Sequence, residues 1–218
     1  MICVSLAEES VVSCLAALED VAFAEIRLDR MGLDAADVRT IFSRHPNLIA
    51  TCSPGALPDA TRGMLLLAAI DSGAAYVDVE LDAPDEYRED IVRRARSAGC
   101  AVIVSFHDHA GTPEAAVLRE TVGACFAKGA DIAKIACAVR SKADNARLLG
   151  LLDDARRIVV VGMGRMGRVV RLAAPLLGSP FTFACLAEGK ETADGQIDQR
   201  ALGILLRALA SGEGTGAP

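Results

Sequence analysis

Short β-rich runs alternate with helical segments along almost the whole chain. Eight such runs are present, at residues 2–6, 23–29, 47–53, 76–81, 101–108, 131–137, 157–163 and 181–187. Strands that alternate with helices pair in parallel through right-handed crossovers. Eight units of this kind predict an α/β fold in the form of a single (β/α)8 TIM barrel, with a doubly wound open sheet as the structural alternative.

The length of the chain sets the domain organisation. A chain of 218 residues fits one small barrel, which we expect to span residues 1–210, followed by a disordered tail at residues 211–218. In the last predicted helix, leucines recur at the spacing of one helical face and predict a face packed on the sheet. These are Leu202, Leu205, Leu206 and Leu209.

Charge and cysteine content exclude several classes of protein. The net charge is −6 and no basic stripe is present, which argues against a nucleic-acid partner. No apolar run is long enough to predict a membrane span. The seven cysteines include no CxxC pair and predict buried thiols in a reducing cytoplasm. Three histidines without paired ligand spacing predict no metal site.

The seventh run ends in a glycine motif, Gly162-Met163-Gly164-Arg165-Met166-Gly167, that matches G-x-G-x-x-G. A dinucleotide-binding domain would need several further βα units after this motif, whereas only one strand and one helix follow it here. As the loop after strand seven of a barrel, it is instead placed to hold a carboxylate or phosphate on backbone N–H groups. Arg171, one helical turn further on, can add a guanidinium group that binds the same anion.

Lys134 is the most informative polar residue within the predicted strands. It stands in "DIAKIAC" among aliphatic neighbours. Burial lowers the pKa of a lysine and frees its lone pair, as a Schiff-base lysine requires. A buried ion pair with Asp78 or Glu80 is the alternative, and the two interpretations are compatible.

Other polar residues stand at the carboxyl ends of the predicted strands, where barrel enzymes carry their chemistry. His107 is a candidate general acid and base, or else a hydrogen-bonded structural residue. Glu25, Arg27 and Asp29 alternate on the second run and are expected to share one face. Glu25 and Arg27 either form an ion pair with each other or form hydrogen bonds with hydroxyl groups of the substrate.

Five motifs together resemble the type I 3-dehydroquinate dehydratase family. They are "EIRLD", "YVDVEL", "SFHD", "IAKIA" and "GMGRMGRVVR", and "ETADGQI" at residues 191–197 looks like the final substrate loop of that family. The resemblance implies a barrel lyase of the shikimate pathway that needs no cofactor or metal. It would convert 3-dehydroquinate to 3-dehydroshikimate by syn elimination, and it would be a homodimer.

The resemblance also implies a role for each matching residue. Lys134 matches the Schiff-base lysine, and His107 matches the general acid and base. Arg171 matches the residue that holds the substrate carboxylate. The remaining matches are substrate-binding residues, namely Ser5, Glu25, Arg27, Thr192 and Gln196.

One motif departs from the family pattern. Ser53 stands where the family has an arginine after strand three. Either Arg62 on the next helix reaches the substrate, or the protein binds the substrate weakly or prefers a related one. Two further hypotheses remain open. One is a Schiff-base aldolase acting on a sugar phosphate, and the other is a non-catalytic ligand-binding barrel.

Overall fold

The computed structural model describes residues 1–210, and these form a (β/α)8 barrel, as the alternation predicts. The strands are β1 (Ile2–Leu6), β2 (Ala24–Arg27), β3 (Leu48–Thr51), β4 (Tyr76–Glu80), β5 (Ala101–Asp108), β6 (Ile132–Ala138), β7 (Ile158–Met163) and β8 (Thr182–Cys185). The tail at residues 211–218 lies outside the described residues.

The eight strands form one parallel sheet in the order β7-β6-β5-β4-β3-β2-β1-β8. All seven ladders are parallel, and β8 pairs with β1 through Ile2 and Thr182. Strands β7 and β8 lie side by side and complete the ring. Arg171 ties β8 to the chain that follows β7, because its Nη1 donates to the carbonyl of Phe183 at 3.3 Å.

Helices cover the outside of the ring. They are α1 (Val11–Leu18), α2 (Leu28–Met31), α3 (Ala35–Phe42), α4 (Asp59–Asp71), α5 (Asp85–Ala98), α6 (Ala115–Ala127), α7 (Lys142–Leu149), α8 (Arg168–Ala173) and α9 (Gln199–Ala210). Capping boxes start α1, α3 and α7 at Ser10, Asp34 and Ser141, where side-chain oxygens satisfy free backbone N–H groups. None of the helices in residues 1–210 has the length and apolar character to cross a membrane.

Two separate clusters of apolar side chains fill the barrel wall and its interior. The larger lies between the sheet and the helices, and the smaller lies inside the ring. At the amino-terminal end of the ring, the rings of Phe23, Tyr76 and Phe181 contact one another and close the bottom. The interior is therefore apolar at the bottom, which leaves its carboxyl end for polar chemistry.

The structure differs from the sequence prediction at two places. Strand β2 ends at Arg27, and Asp29 lies in the short helix α2 instead of sharing a strand face with Glu25 and Arg27. The predicted leucine face of the last helix is also wrong. Leu202 is buried, but Leu205 and Leu209 are 43% and 52% exposed, because only one edge of α9 meets the barrel.

Candidate active site

The carboxyl ends of the strands surround a cavity of about 70 Å³. Six of the eight strands contribute a residue to it. The lining residues are Glu25, Arg27, Thr51, Ser53, His107, Lys134, Ala136, Val161, Met163, Arg171, Phe183, Thr192, Ala193 and Gln196. The structure thus brings together seven residues predicted from the sequence, namely Glu25, Arg27, His107, Lys134, Arg171, Thr192 and Gln196.

Lys134 lies at the floor of this cavity in a layer built from the even-numbered strands. Its Nζ donates to Asp78 Oδ2 at 2.7 Å and to Glu25 Oε1 at 3.4 Å. The same nitrogen lies 4.6 Å from the centre of the Phe183 ring, a cation–π distance. Side chains from alternate strands form such layers in this fold. The amine therefore has two carboxylates and an aromatic face around it.

The charge state of Lys134 differs from the sequence prediction. Burial alone would lower the pKa of this amine, but the nearby carboxylates of Asp78 and Glu25 outweigh it and raise the pKa above its ordinary value. The prediction of an uncharged resting amine is therefore wrong. Lys134 is an ammonium held in the buried ion pair that was the alternative, with Asp78 and Glu25 as partners instead of Glu80.

Glu25 is the centre of a hydrogen-bonded cluster above Lys134. Ser5 Oγ donates to Glu25 Oε2 at 2.5 Å, and Thr51 Oγ1 donates to Glu25 Oε1 at 3.0 Å. Burial opposes ionisation, yet Lys134, Arg27 and the two hydroxyl groups lower the pKa of Glu25 to about 2. Glu25 is consequently a carboxylate throughout the neutral range.

His107 lies on the rim of the cavity, two residues beyond Ser105, which is the register partner of Lys134. Its ring is open to solvent on one side and lies parallel to the ring of His109, with the centres 6.3 Å apart. The surrounding protein atoms and then the ammonium of Lys134 lower the pKa of His107 to about 4. His107 is a neutral imidazole that is ready to accept a proton.

The glycine loop after β7 packs too closely for side chains. A Cβ on Gly162 would lie 2.6 Å from the carbonyl oxygen of Gly167. This close approach starts the turn that carries Arg171, which is 1% exposed. Burial lowers the pKa of Arg171 to about 10, so it remains a cation. Its Nε is buried without a hydrogen-bond partner within residues 1–210 and is free to donate.

The loop after β8 covers the cavity. Thr192 Oγ1 donates to Ser5 Oγ at 2.7 Å, and the backbone N–H of Thr192 donates to Gln196 Oε1 at 2.7 Å. Arg171 Nη2 donates to the carbonyl of Asp194 at 3.3 Å. The three predicted residues Ser5, Thr192 and Gln196 are thereby connected, with Ser5 below the cavity lining.

Arg27 and Ser53 line the open side of the cavity. Arg27 is held by Asp29, which accepts from its Nη2 at 2.6 Å and from its Nε at 3.0 Å. Ser53 follows β3 and offers a hydroxyl group there. No guanidinium from the helix that follows β3 lines this cavity within residues 1–210.

The side chain of Arg62 lies behind the barrel wall and does not reach the cavity. It donates to Glu80 Oε2, to Asp59 Oδ1 and to the carbonyl of Cys52, at 2.8, 2.7 and 2.8 Å. Burial and then Asp78 raise the pKa of Glu80 to about 7, although Arg62 opposes the shift. Arg62 and Glu80 therefore tie α4 and the loop after β3 to β4, and Arg62 does not replace an arginine at Ser53.

Two residues of the site, Phe183 and Thr51, were not predicted from the sequence. Phe183 lies over the amine of Lys134, and Thr51 donates to Glu25. Strand alternation places both on the inner face of their strands, at the depth of the charged cluster, and so contained a signal for them. Within residues 1–210, no group of three or more His, Cys, Asp or Glu side chains is arranged to hold a metal ion.

The comparisons with known proteins agree with one another. The family model described as type I 3-dehydroquinase matches residues 2–213. The chain is 33% identical to the 3-dehydroquinate dehydratase of Syntrophobacter fumaroxidans, over 97% of each chain. It is 34% identical to that of Thermococcus gammatolerans, over 85% of this chain and 86% of the relative. The crystal structure of the Geobacillus kaustophilus 3-dehydroquinate dehydratase superposes with a TM-score of 0.84 at 26% identity, covering 97% of this chain and 91% of that one.

Proposed function

Because the chain belongs to the type I 3-dehydroquinase family, we propose that it dehydrates 3-dehydroquinate to 3-dehydroshikimate through a Schiff base on Lys134. The reaction is a step of the shikimate pathway of aromatic amino acid biosynthesis. The observation that carries the proposal is the contact of the Lys134 amine with two buried carboxylates on the floor of the cavity, beneath the neutral imidazole of His107 on its rim.

The first step is attack of the Lys134 amine on the C3 ketone. The ammonium passes a proton to a neighbouring oxygen, for which Asp78 at 2.7 Å is the nearest acceptor. Nitrogen then bonds to C3. The proton held by Asp78 and one proton from the nitrogen convert the former ketone oxygen to water, and its loss leaves a protonated imine and an ionised Asp78. Asp78 and Glu25, which favour positive charge on this nitrogen in the ammonium, favour it equally in the iminium. The ion pair therefore supports the intermediate as well as the resting state.

The second step is the elimination. The iminium draws electrons from C3 and acidifies the proton on C2, which His107 removes. His107 then gives this proton to the departing C1 hydroxyl group, which leaves as water from the same face. The lowered pKa keeps the imidazole neutral at neutral pH, so that it can accept the proton. It also makes the resulting imidazolium a stronger acid toward the departing hydroxyl group, at the cost of basicity in the first transfer. Hydrolysis of the imine frees the product and restores Lys134.

The remaining lining residues hold the substrate in this proposal. Arg171, which lines the cavity and has an Nε without a partner within residues 1–210, binds the carboxylate, and Gln196 and Thr192 complete that side from the loop after β8. Glu25 and Arg27 contact ring hydroxyl groups on the opposite side. Ser5 supports Glu25 and Thr192 from below, and Asp78 positions the amine.

A continuous absorbance assay for the conjugated enone product tests the proposed reaction. Wild-type protein should turn over 3-dehydroquinate, whereas Lys134→Ala protein should give no rate above background. Parallel assays with ketose and aldose phosphates test the aldolase alternative. Turnover of a sugar phosphate without turnover of 3-dehydroquinate would contradict the proposal.

We also propose a cytoplasmic homodimer that works without cofactor or metal. The seven cysteines are all buried and unpaired, which supports a reducing compartment. Exposed leucines on α9, Leu205 and Leu209, support an apolar contact between subunits. Light scattering of the purified protein should give twice the mass of the chain, and the monomer mass would contradict the dimer.

A further inference from the structure

The loop after β8, residues 186–198, lies over one side of the cavity. The space that remains in the cavity is about 70 Å³. Small-molecule sites usually offer about 300–1,000 Å³. Gly195 packs directly on the backbone of Gly164, and the carbonyl of Asp194 accepts from Gly164 N at 3.3 Å. The structure is therefore the closed arrangement of this loop.

An ion pair outside the cavity also joins this loop to the barrel. Lys190 Nζ donates to Glu8 Oε2 at 3.0 Å. Glu8 belongs to the segment between β1 and α1, two residues before the capping residue Ser10. Its side chain is 9% exposed, whereas that of Lys190 is 52% exposed. Glu8 is thus the buried partner of the pair, and Lys190 is the exposed partner that reaches it.

The local backbone of the loop delivers Lys190 to that anchor. The N–H of Lys190 donates to the carbonyl of Ala187 at 3.1 Å, which closes a tight turn. Lys190 is separated from Thr192 by one residue, and Thr192 donates to Ser5 at 2.7 Å. Neither Glu8 nor Lys190 lines the cavity. The ion pair can therefore influence where Thr192 and Gln196 lie, although neither of its own residues contacts the substrate.

We propose that Glu8 and Lys190 are positioning residues for the reaction, and that their ion pair holds the loop at residues 186–198 closed over the bound substrate. The pair raises the closed fraction of the loop before the substrate arrives. It thereby lowers KM, because Thr192 and Gln196 bind the substrate from the closed loop. The chemical step at Lys134 is unchanged. This inference rests on the proposed function, because it assigns the pair to that same site.

Charge reversal and charge exchange test the pair. Glu8→Lys and Lys190→Glu should each raise KM for 3-dehydroquinate about two- to five-fold, the range expected of an ion pair with one exposed partner, with kcat unchanged or higher. The exchanged double variant should return KM to within about two-fold of wild type. High salt should raise the wild-type KM but leave that of Lys190→Met unchanged. Lys142→Glu, an exposed lysine at the start of α7, is the matched control and should change nothing.

Amide hydrogen exchange separates this inference from the proposed function. Exchange at residues 187–197 should be faster in both single variants than in wild type, and slow again in the double variant, with no substrate present. Equal exchange in all variants, additive losses in the double variant, or a fall in kcat without a change in KM would overturn the ion-pair role. Absence of 3-dehydroquinate turnover in wild type, with the exchange pattern intact, would overturn only the proposed function.

Discussion

Lys134 and Asp78 are joined by a 2.7 Å hydrogen bond inside the barrel, on strands that are separated by β5. The carboxylate of Asp78 is 1% exposed and the amine side chain is 8% exposed. Such a pair is stable only while both charges are present, because either one alone would be buried without a partner. The nucleophile of the proposed reaction is therefore also part of what holds the barrel interior together.

Replacement of the lysine should cost stability as well as activity. Lys134→Met leaves Asp78 and Glu25 as adjacent buried carboxylates, so we expect the free energy of unfolding to fall by about 3–5 kcal/mol. Urea denaturation at neutral pH measures the change. The double variant Lys134→Met/Asp78→Asn should recover part of the loss but none of the turnover. Wild-type stability in the single variant would show that the ion pair is not buried as described.

The pH dependence of kcat/KM should report the lowered pKa of His107. The charged and titratable groups around this ring are Lys134, Asp78, Glu25 and His109. Desolvation by the surrounding protein atoms and then the ammonium of Lys134 lower the pKa of His107 to about 4, although Asp78 and Glu25 oppose the shift. Activity should therefore stay level as the pH falls through the ordinary histidine value of 6.5 and decline only nearer 4. A decline centred at 6.5 or above would contradict this assignment.

The lowered pKa of His107 also determines whether folding stability rises or falls as the pH is lowered. The folded-state pKa of His107 lies below its unfolded value, so the unfolded chain binds more protons as the pH falls between the two values. His107 consequently reduces the folding stability over that interval. His107→Gln should make the unfolding free energy less dependent on pH there, as measured by urea denaturation at several pH values.

Closure of the loop after β8 depends on a glycine that no other residue can replace. A Cβ on Gly195 would overlap the carbonyl oxygen of Gly164, whereas a Cβ on Gly189 would meet nothing within 4 Å. Both glycines have positive φ, at 79° and 84°, so alanine strains the backbone equally at both. Gly195→Ala should therefore raise KM about ten-fold or more, and Gly189→Ala should not. Equal KM values would contradict the closed packing.

Arginine should be required at position 171 because it joins two backbone carbonyls and, in the proposed function, the substrate carboxylate. Nη1 and Nη2 donate to the carbonyls of Phe183 and Asp194, and Nε has no hydrogen-bond partner within residues 1–210. A lysine has one nitrogen and cannot serve all three. Arg171→Lys should lower kcat/KM about 10- to 100-fold, mostly through KM, as steady-state assays would show. Arg168→Lys, an exposed change on the same helix, is the control, and equal effects would contradict the role of Arg171.

The sequence carried enough information for the fold and for most of the site. Eight β-rich runs with helices between them leave few topologies, and strand ends in a barrel meet at one mouth, so Lys134, His107 and Arg171 could be brought together from chain order alone. The glycine motif could be separated from a dinucleotide site because too little chain follows Gly167.

The charge state of Lys134 could not be predicted in the same way. Aliphatic neighbours along β6 suggest a dry, neutral amine, but Asp78 and Glu25 come from strands 56 and 109 residues away in the chain. Whether they contact the amine depends on the stagger of the barrel, which local pattern does not contain. The prediction that the leucine face of α9 packs on the sheet was wrong for a related reason. Periodicity shows that a helix face is apolar, but it does not show what covers that face.

Reductive trapping tests the central claim most directly, because it reports whether the Lys134 nitrogen bonds to the substrate carbon. The wild-type protein is mixed with 3-dehydroquinate and sodium borohydride, and the products are analysed by intact mass and peptide mapping. We expect one stable adduct per chain, located on Lys134 and absent from Lys134→Met. Unmodified protein from a preparation that turns over the substrate, or an adduct on another lysine, would contradict the account.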